Sequence, residues 1–154
     1  MLPTPSERLR SLGLELPPPP KPAGAYSPVT VHDHLAWVSG QIVTEAGVVV
    51  HPGLVDRDVS VDAARDLARR ATLQALSALQ ASLGSIDRIH RFLRVVVYVA
   101  TSPGFYRPHE VANGATELLV DLFGEESRPA RVTVGVASLP LNAPVEAEFH
   151  LATH

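Results

Sequence analysis

Arg131, Glu146, Glu148 and His150 are the residues best suited to chemistry by type and spacing. Arg131 opens the run Arg131–Ala137, where Val132, Val134 and Val136 alternate with Thr133 and Gly135. Glu146, Glu148 and His150 alternate in the same way with Val145, Ala147, Phe149 and Leu151. A period of two marks strands with two unlike faces. Turning each apolar row under the helices would leave Arg131 and both carboxylates together on the opposite face. A guanidinium can hold an anion, and a carboxylate can orient a water or carry a proton. The same residues could equally make an exposed, salt-bridged surface, and strand parity alone leaves both readings open.

Other chemistries find little support. No GxSxG elbow, Walker loop, GxGxxG or HExxH motif occurs. The chain has no cysteine, which removes disulfides, thiolate nucleophiles, zinc ribbons and iron–sulfur clusters. His150 and His154 are four apart, but on a strand that is about 13 Å, too far for a helical zinc pair. His32-Asp33-His34 reads as a polar turn, with a two-histidine metal site as its alternative. Arg69-Arg70 lack the aromatic platform expected of RNA binders. Net charge is −3, so no overall basic field would draw in nucleic acid or anionic lipid.

The chain has 154 residues, 45% of them hydrophobic and 19% charged, which suits a single folded domain rather than a disordered chain. Its longest uncharged stretch, Ala71–Ile86, is interrupted by Gln74, Ser77, Gln80, Ser82 and Ser85 and is unsuited to crossing a membrane. The first ten residues lack an apolar signal core, so a cytoplasmic protein is expected. Eight of the 14 prolines fall in the first 28 residues. Residues 1–21 therefore read as a Pro-rich extension, with a short helix over Ser6–Gly13 capped by Ser6 and polyproline II over Pro17–Pro20. Residues 22–154 form the domain.

Val29–His32 and Leu35–Ile42 read as strands, and Val48–Val50 as a short third one. Ser60 caps a helix whose stripe is Ala64, Leu67, Ala68, Ala71, Ala75, Ala78 and Leu79, and Gly84 ends it. Ile89–Ala100 is a strand whose half Val95–Val99 is apolar on both faces and needs cover on both. A second helix spans Pro108–Phe123, and Arg131–Ala137 and Val145–Ala152 complete the pattern βββ-α-β-α-ββ. This is an α+β arrangement, a mixed sheet with two helices on one face.

Several segments then converge. Ala23-Gly24-Ala25-Tyr26-Ser27-Pro28, Val38-Ser39-Gly40-Gln41-Ile42, Arg128-Pro129-Ala130-Arg131, Leu139-Pro140 and Val145-Glu146-Ala147-Glu148 occur in this order. The set resembles the RidA family of reactive intermediate/imine deaminases, also named after translation inhibitors and L-PSP endoribonucleases. The resemblance covers about residues 22 to 152. It implies a chorismate-mutase-like fold, a homotrimer with clefts between subunits, and no metal or other cofactor. It also implies that Arg131 binds a substrate carboxylate, that Tyr26 and Ser39 shape the cleft, and that Glu146 handles the attacking water. Ala25 departs from the family's proline before the tyrosine, and the N-terminal extension exceeds the compact members. The expected activity is hydrolysis of small 2-imino or enamine acids. A non-catalytic trimer that binds metabolites or partners, and an endoribonuclease, are the alternatives.

Overall fold

The computed structural model describes all 154 residues. Its first helix, α1, spans Pro5–Ser11. Thr4, not Ser6, is the N-cap, and a reciprocal pair with Glu7 satisfies two backbone donors that the first turn leaves free. The second helix, α2, spans Val61–Leu83, with Ser60 capping its start and Gly84, at φ 88°, ending it in the left-handed region. The third, α3, spans Pro108–Phe123.

The strands are β1 (Val29–His32), β2 (Leu35–Gln41), β3 (Thr44–Glu45), β4 (Val48–Val49), β5 (Ile89–Ala100), β6 (Ala130–Val136) and β7 (Val145–Thr153). Five form one mixed sheet in the order β1-β2-β7-β5-β6, with β5 and β6 the parallel pair. The expected third strand, at Val48, does not join this sheet. It closes a separate two-stranded hairpin with Thr44–Glu45, because Glu45-Ala46-Gly47 turns the chain back immediately.

Helices α2 and α3 cover one face of the sheet. The alanines of α2 bring it close, and Ala64, Ala68, Ala71 and Ala75 are fully buried. Gly114 of α3 lies against the Arg65 backbone of α2, where any Cβ would collide with the carbonyl, so the two helices meet backbone to backbone. Beneath them lie Val95, Val97 and Val99 of β5 with Val145, Ala147, Phe149 and Leu151 of β7.

The N-terminal segment belongs to this packing. Leu9 is buried in the core, and Leu14 and Leu16 pack against it. The Ser6 backbone N–H donates to Asp87 at 2.8 Å, and the Ser77 hydroxyl donates to the Pro17 carbonyl. No helix is long and apolar enough to cross a membrane.

Candidate functional site

The register between β5 and its neighbours decides which face each side chain takes. Val95 pairs with Phe149 on β7 and with Arg131 on β6, and Val95 and Phe149 are core residues. Arg131 therefore points to the helix side. Glu146, the partner of Tyr98, and Glu148, the partner of Val96, point to the open side. This corrects the expectation that Arg131 and both carboxylates share a face. Val132 and Val134 lie on the open face, 42% and 39% exposed, instead of under the helices. Strand parity sorts residues into two rows, but on an edge strand with a helix beside only part of it, hydrophobicity does not say which row is inside. The arginine on the open face is Arg94, opposite His150.

Arg131 is held by α3. Its Nη1 donates to Asn113 Oδ1 at 2.8 Å and to Thr116 Oγ1 at 3.1 Å. Both acceptors are neutral. The guanidinium borders a cavity of about 560 Å³ with Glu117, Asp121, Glu125 and Arg128. The other charges there are already paired: Glu117 with Arg65, Glu125 with Arg128, Asp121 with Arg69 at 3.9 Å. Arg131 alone among them has no carboxylate partner, so its charge and remaining donors are free for an anion. Thr133, two residues along the same row, carries a buried hydroxyl with no hydrogen-bond partner.

The open face carries the other candidates. Between Val38 and Gln41 the β2–β7 register slips, because β2 advances three residues while β7 retreats two, from Phe149 to Ala147. The extra residue makes a bulge at Ser39-Gly40, and such bulges re-aim side chains. The Ser39 hydroxyl donates to the Ser27 carbonyl at 2.7 Å and its backbone N–H to the Pro28 carbonyl, fastening the segment that carries Tyr26 to β2. Tyr26 is 53% exposed, and its hydroxyl accepts from the Ala23 backbone N–H at 3.3 Å. Glu146 is half-buried beside Gly40. Burial, then the charge of Glu148, hold its carboxyl above the usual carboxylate range. Both effects disfavour the ionised form.

Tyr26 and Ser39 thus share one region with Glu146, while Arg131 stands on the far side of the sheet. Asn113 and Thr116 were legible only as polar positions three apart on α3, off its apolar stripe. Tyr98, facing Glu146, read simply as part of an apolar strand. His32 and His34 are not drawn into a metal-binding cluster: no group of three His, Cys, Asp or Glu side chains converges anywhere in the chain.

A family model described as YjgF/chorismate-mutase-like matches residues 6–149, which takes in α1 except for Pro5. The chain is 38% identical over 141 residues to protein TCP17 of Trypanosoma cruzi, covering 91% of this chain and 88% of that one. It is 38% identical to the Agrobacterium tumefaciens protein Atu1372, a protein of unknown function, with a TM-score of 0.85 over 95% of this chain and 89% of that one. A Shewanella oneidensis protein named as a candidate endoribonuclease is 28% identical, with a TM-score of 0.91 over 97% of this chain and 99% of that one.

Proposed function

Because the chain belongs to the YjgF/chorismate-mutase-like family, we propose that it hydrolyses small 2-imino and enamine acids to 2-oxo acids and ammonia. The observation that carries this reading is Arg131, a guanidinium anchored by two neutral acceptors and left without a counter-charge at a cleft. A planar fork of donors held in that way suits a carboxylate bound through two parallel hydrogen bonds.

Arg131 and Glu146 face opposite sides of one sheet, so a small substrate cannot reach both within a single chain. In this reading a second copy completes the site. The free edge of β6 in one subunit, with Arg131, lies against the open face of the next, which supplies Glu146, Ser39 and Tyr26. The exposed Trp37, Val132 and Val134 on that open face suit burial against another copy. A closed ring of three copies is the assembly proposed.

The chemistry asks little of the protein. An enamine first takes a proton from solvent at carbon, releases one from nitrogen and becomes the imine, whose C2 is already electrophilic. Water adds to C2 and gives up a proton to Glu146. That proton reaches the nitrogen, the proton of the new C2 hydroxyl follows it, and the C–N bond breaks, so ammonia leaves as C2 becomes a carbonyl. A carboxyl held above its usual range is better placed to take and return a proton near neutrality. Arg131 supplies position, and position supplies most of the acceleration.

The test is to generate 2-aminoacrylate in situ and compare pyruvate formation with and without the protein. Faster pyruvate release supports the reading, and an unchanged rate rejects it. A parallel RNA-cleavage assay on repurified protein addresses the activity named for the Shewanella relative.

A further inference from the structure

We propose that Gln74 of α2 is a positioning residue for the open face: acting through the buried Gln41 amide, it holds the Ser39 carbonyl and with it the bulge against which Glu146 is seated. The inference rests on the reading of Glu146 as the group that handles the proton.

A chain of hydrogen bonds supplies the geometry. Gln74 Nε2 donates to the Ile42 carbonyl at 3.0 Å and to Gln41 Oε1 at 2.9 Å, and Gln41 Nε2 donates to the Ser39 carbonyl at 2.8 Å. Gln41 is 4% exposed and pairs across β2 and β7 with Ala147, a core residue, so its side chain lies on the helix side. Glu146, next to Ala147 on β7, lies on the open side. The two amides therefore stand behind the site and reach it only through the backbone of Ser39-Gly40.

The polarity of the chain is forced. A side-chain amide accepts at oxygen and donates at nitrogen, and a backbone carbonyl only accepts. The carbonyls of Ser39 and Ile42 stand at its two ends, so each must face an NH2 group. Gln41 then has only its oxygen left for Gln74, and Gln74 meets that oxygen with the same nitrogen that it gives to Ile42. Turning either amide over would set oxygen against oxygen. Both carbonyls lie where the ladder gives out, Ser39 in the bulge and Ile42 one residue past the end of β2. An apolar pair could fill the same space, but it would take this donor from the Ser39 carbonyl. Ser39 is also tied to Ser27 and Pro28, so Gln41 completes the bonds that set the angle of the Ser39–Gly40 peptide. Gly40 and the Glu146 carboxyl group are packed too closely for even a Cβ between them, so a turn of that peptide is felt at the glutamate.

Gln74→Glu keeps the shape and replaces the donor with an acceptor. It should turn the Gln41 amide over and set its oxygen against the Ser39 carbonyl. At one fixed pH, the carbon-13 NMR signals of the Ser39 carbonyl and the Glu146 carboxyl should both move. Turnover should fall roughly 10- to 100-fold in kcat, part of what a misplaced general base forfeits, while KM, governed by Arg131, changes less than about 3-fold. Gln74→Met adds no charge and should move the same two signals by less, so the test stands even if the glutamate variant does not fold. In a Gln41→Met background, where the relay is already cut, Gln74→Met should move neither signal further nor lower kcat again. Arg70→Ala is the control: it removes another contact of α2, the ion pair with Glu45, which does not reach Ser39. It should leave both signals and kcat unchanged. Signals that stay put in the Gln74 variants, a further shift in the Gln41→Met background, or an equal shift in Arg70→Ala would overturn the inference. The NMR signals need no turnover, so they judge Gln74 even if the 2-aminoacrylate assay rejects the proposed activity.

Discussion

Gly40 leaves the space that the Glu146 side chain fills: a Cβ on Gly40 would overlap the Glu146 carboxyl group. The bulge at Ser39-Gly40 and the absence of a side chain at one residue therefore fix where the proposed base sits. Gly40→Ala should displace Glu146 while sparing the core, because Gly40 is on the open face. The expected outcome is a kcat loss of about 100-fold, the lower end of a general base's contribution. Thermal unfolding should shift by only a few degrees. Wild-type turnover in this variant would show that the Glu146 position is immaterial.

Arg131→Lys and Arg131→Ala should both abolish turnover and leave the assembly intact. Asn113 and Thr116 orient the guanidinium without neutralising it, so removing it strands no buried carboxylate. Losing a charged partner in a shielded cleft costs about 2–5 kcal/mol, or roughly 30- to several-thousand-fold in affinity. Lysine keeps the charge without the planar fork and should rescue little. Calorimetric titration with pyruvate, the product, measures the loss directly. Equal binding by wild type and Arg131→Ala would remove the arginine from the site.

Glu146 makes stability depend on pH in a definite direction. Its folded pKa is raised above the unfolded value, so its favourable contribution is complete below the unfolded pKa. That contribution is lost as pH rises through the folded pKa, because the fold then holds a half-buried charge beside Glu148. Glu146→Gln should therefore raise the melting temperature at neutral pH, and the gain should fade as pH falls through the carboxylate range. Melting curves from pH 3 to 8 test the sign. A gain confined to low pH would contradict it.

Deleting residues 1–20 should destabilise the protein. The sequence reads as a Pro-rich extension here, but the deletion removes buried Leu9, the packed Leu14 and Leu16, and the acceptor for Ser77. Burying one leucine is worth about 1.5–3 kcal/mol. For a chain of this size, about 3 kcal/mol lowers Tm by roughly 6–12 °C. An unchanged Tm in the truncated protein would show that these contacts contribute nothing.

Light scattering should give three times the 16.5 kDa chain mass at micromolar concentration. Trp37, 38% exposed on the open face of the isolated chain, should be shielded in the assembly. Its fluorescence should therefore shift to the red on dilution-driven dissociation. A mass of one chain would refute the shared site.

What the sequence determines by itself is local. Caps at Ser60 and Gly84, the alanine stripe of α2, and the alternation in β7 follow from short-range backbone chemistry and burial, and each forms as its residues direct. The ordered motifs around Tyr26, Ser39, Arg131 and Glu146 likewise point to the family. The faces of β6 were decided elsewhere. Arg131 and Val132 differ by one position, and a period of two assigns them to opposite sides without naming either side. The parallel register with β5 and the acceptors on α3 make that choice. Gly40 became visible for the same reason: its meaning lies in the Glu146 side chain that stands across the strand from it. The placing of α1 against the core is also tertiary. A seven-residue helix is too short to be stable alone, so its docking through Leu9, with the Ser6–Asp87 hydrogen bond, is what holds it.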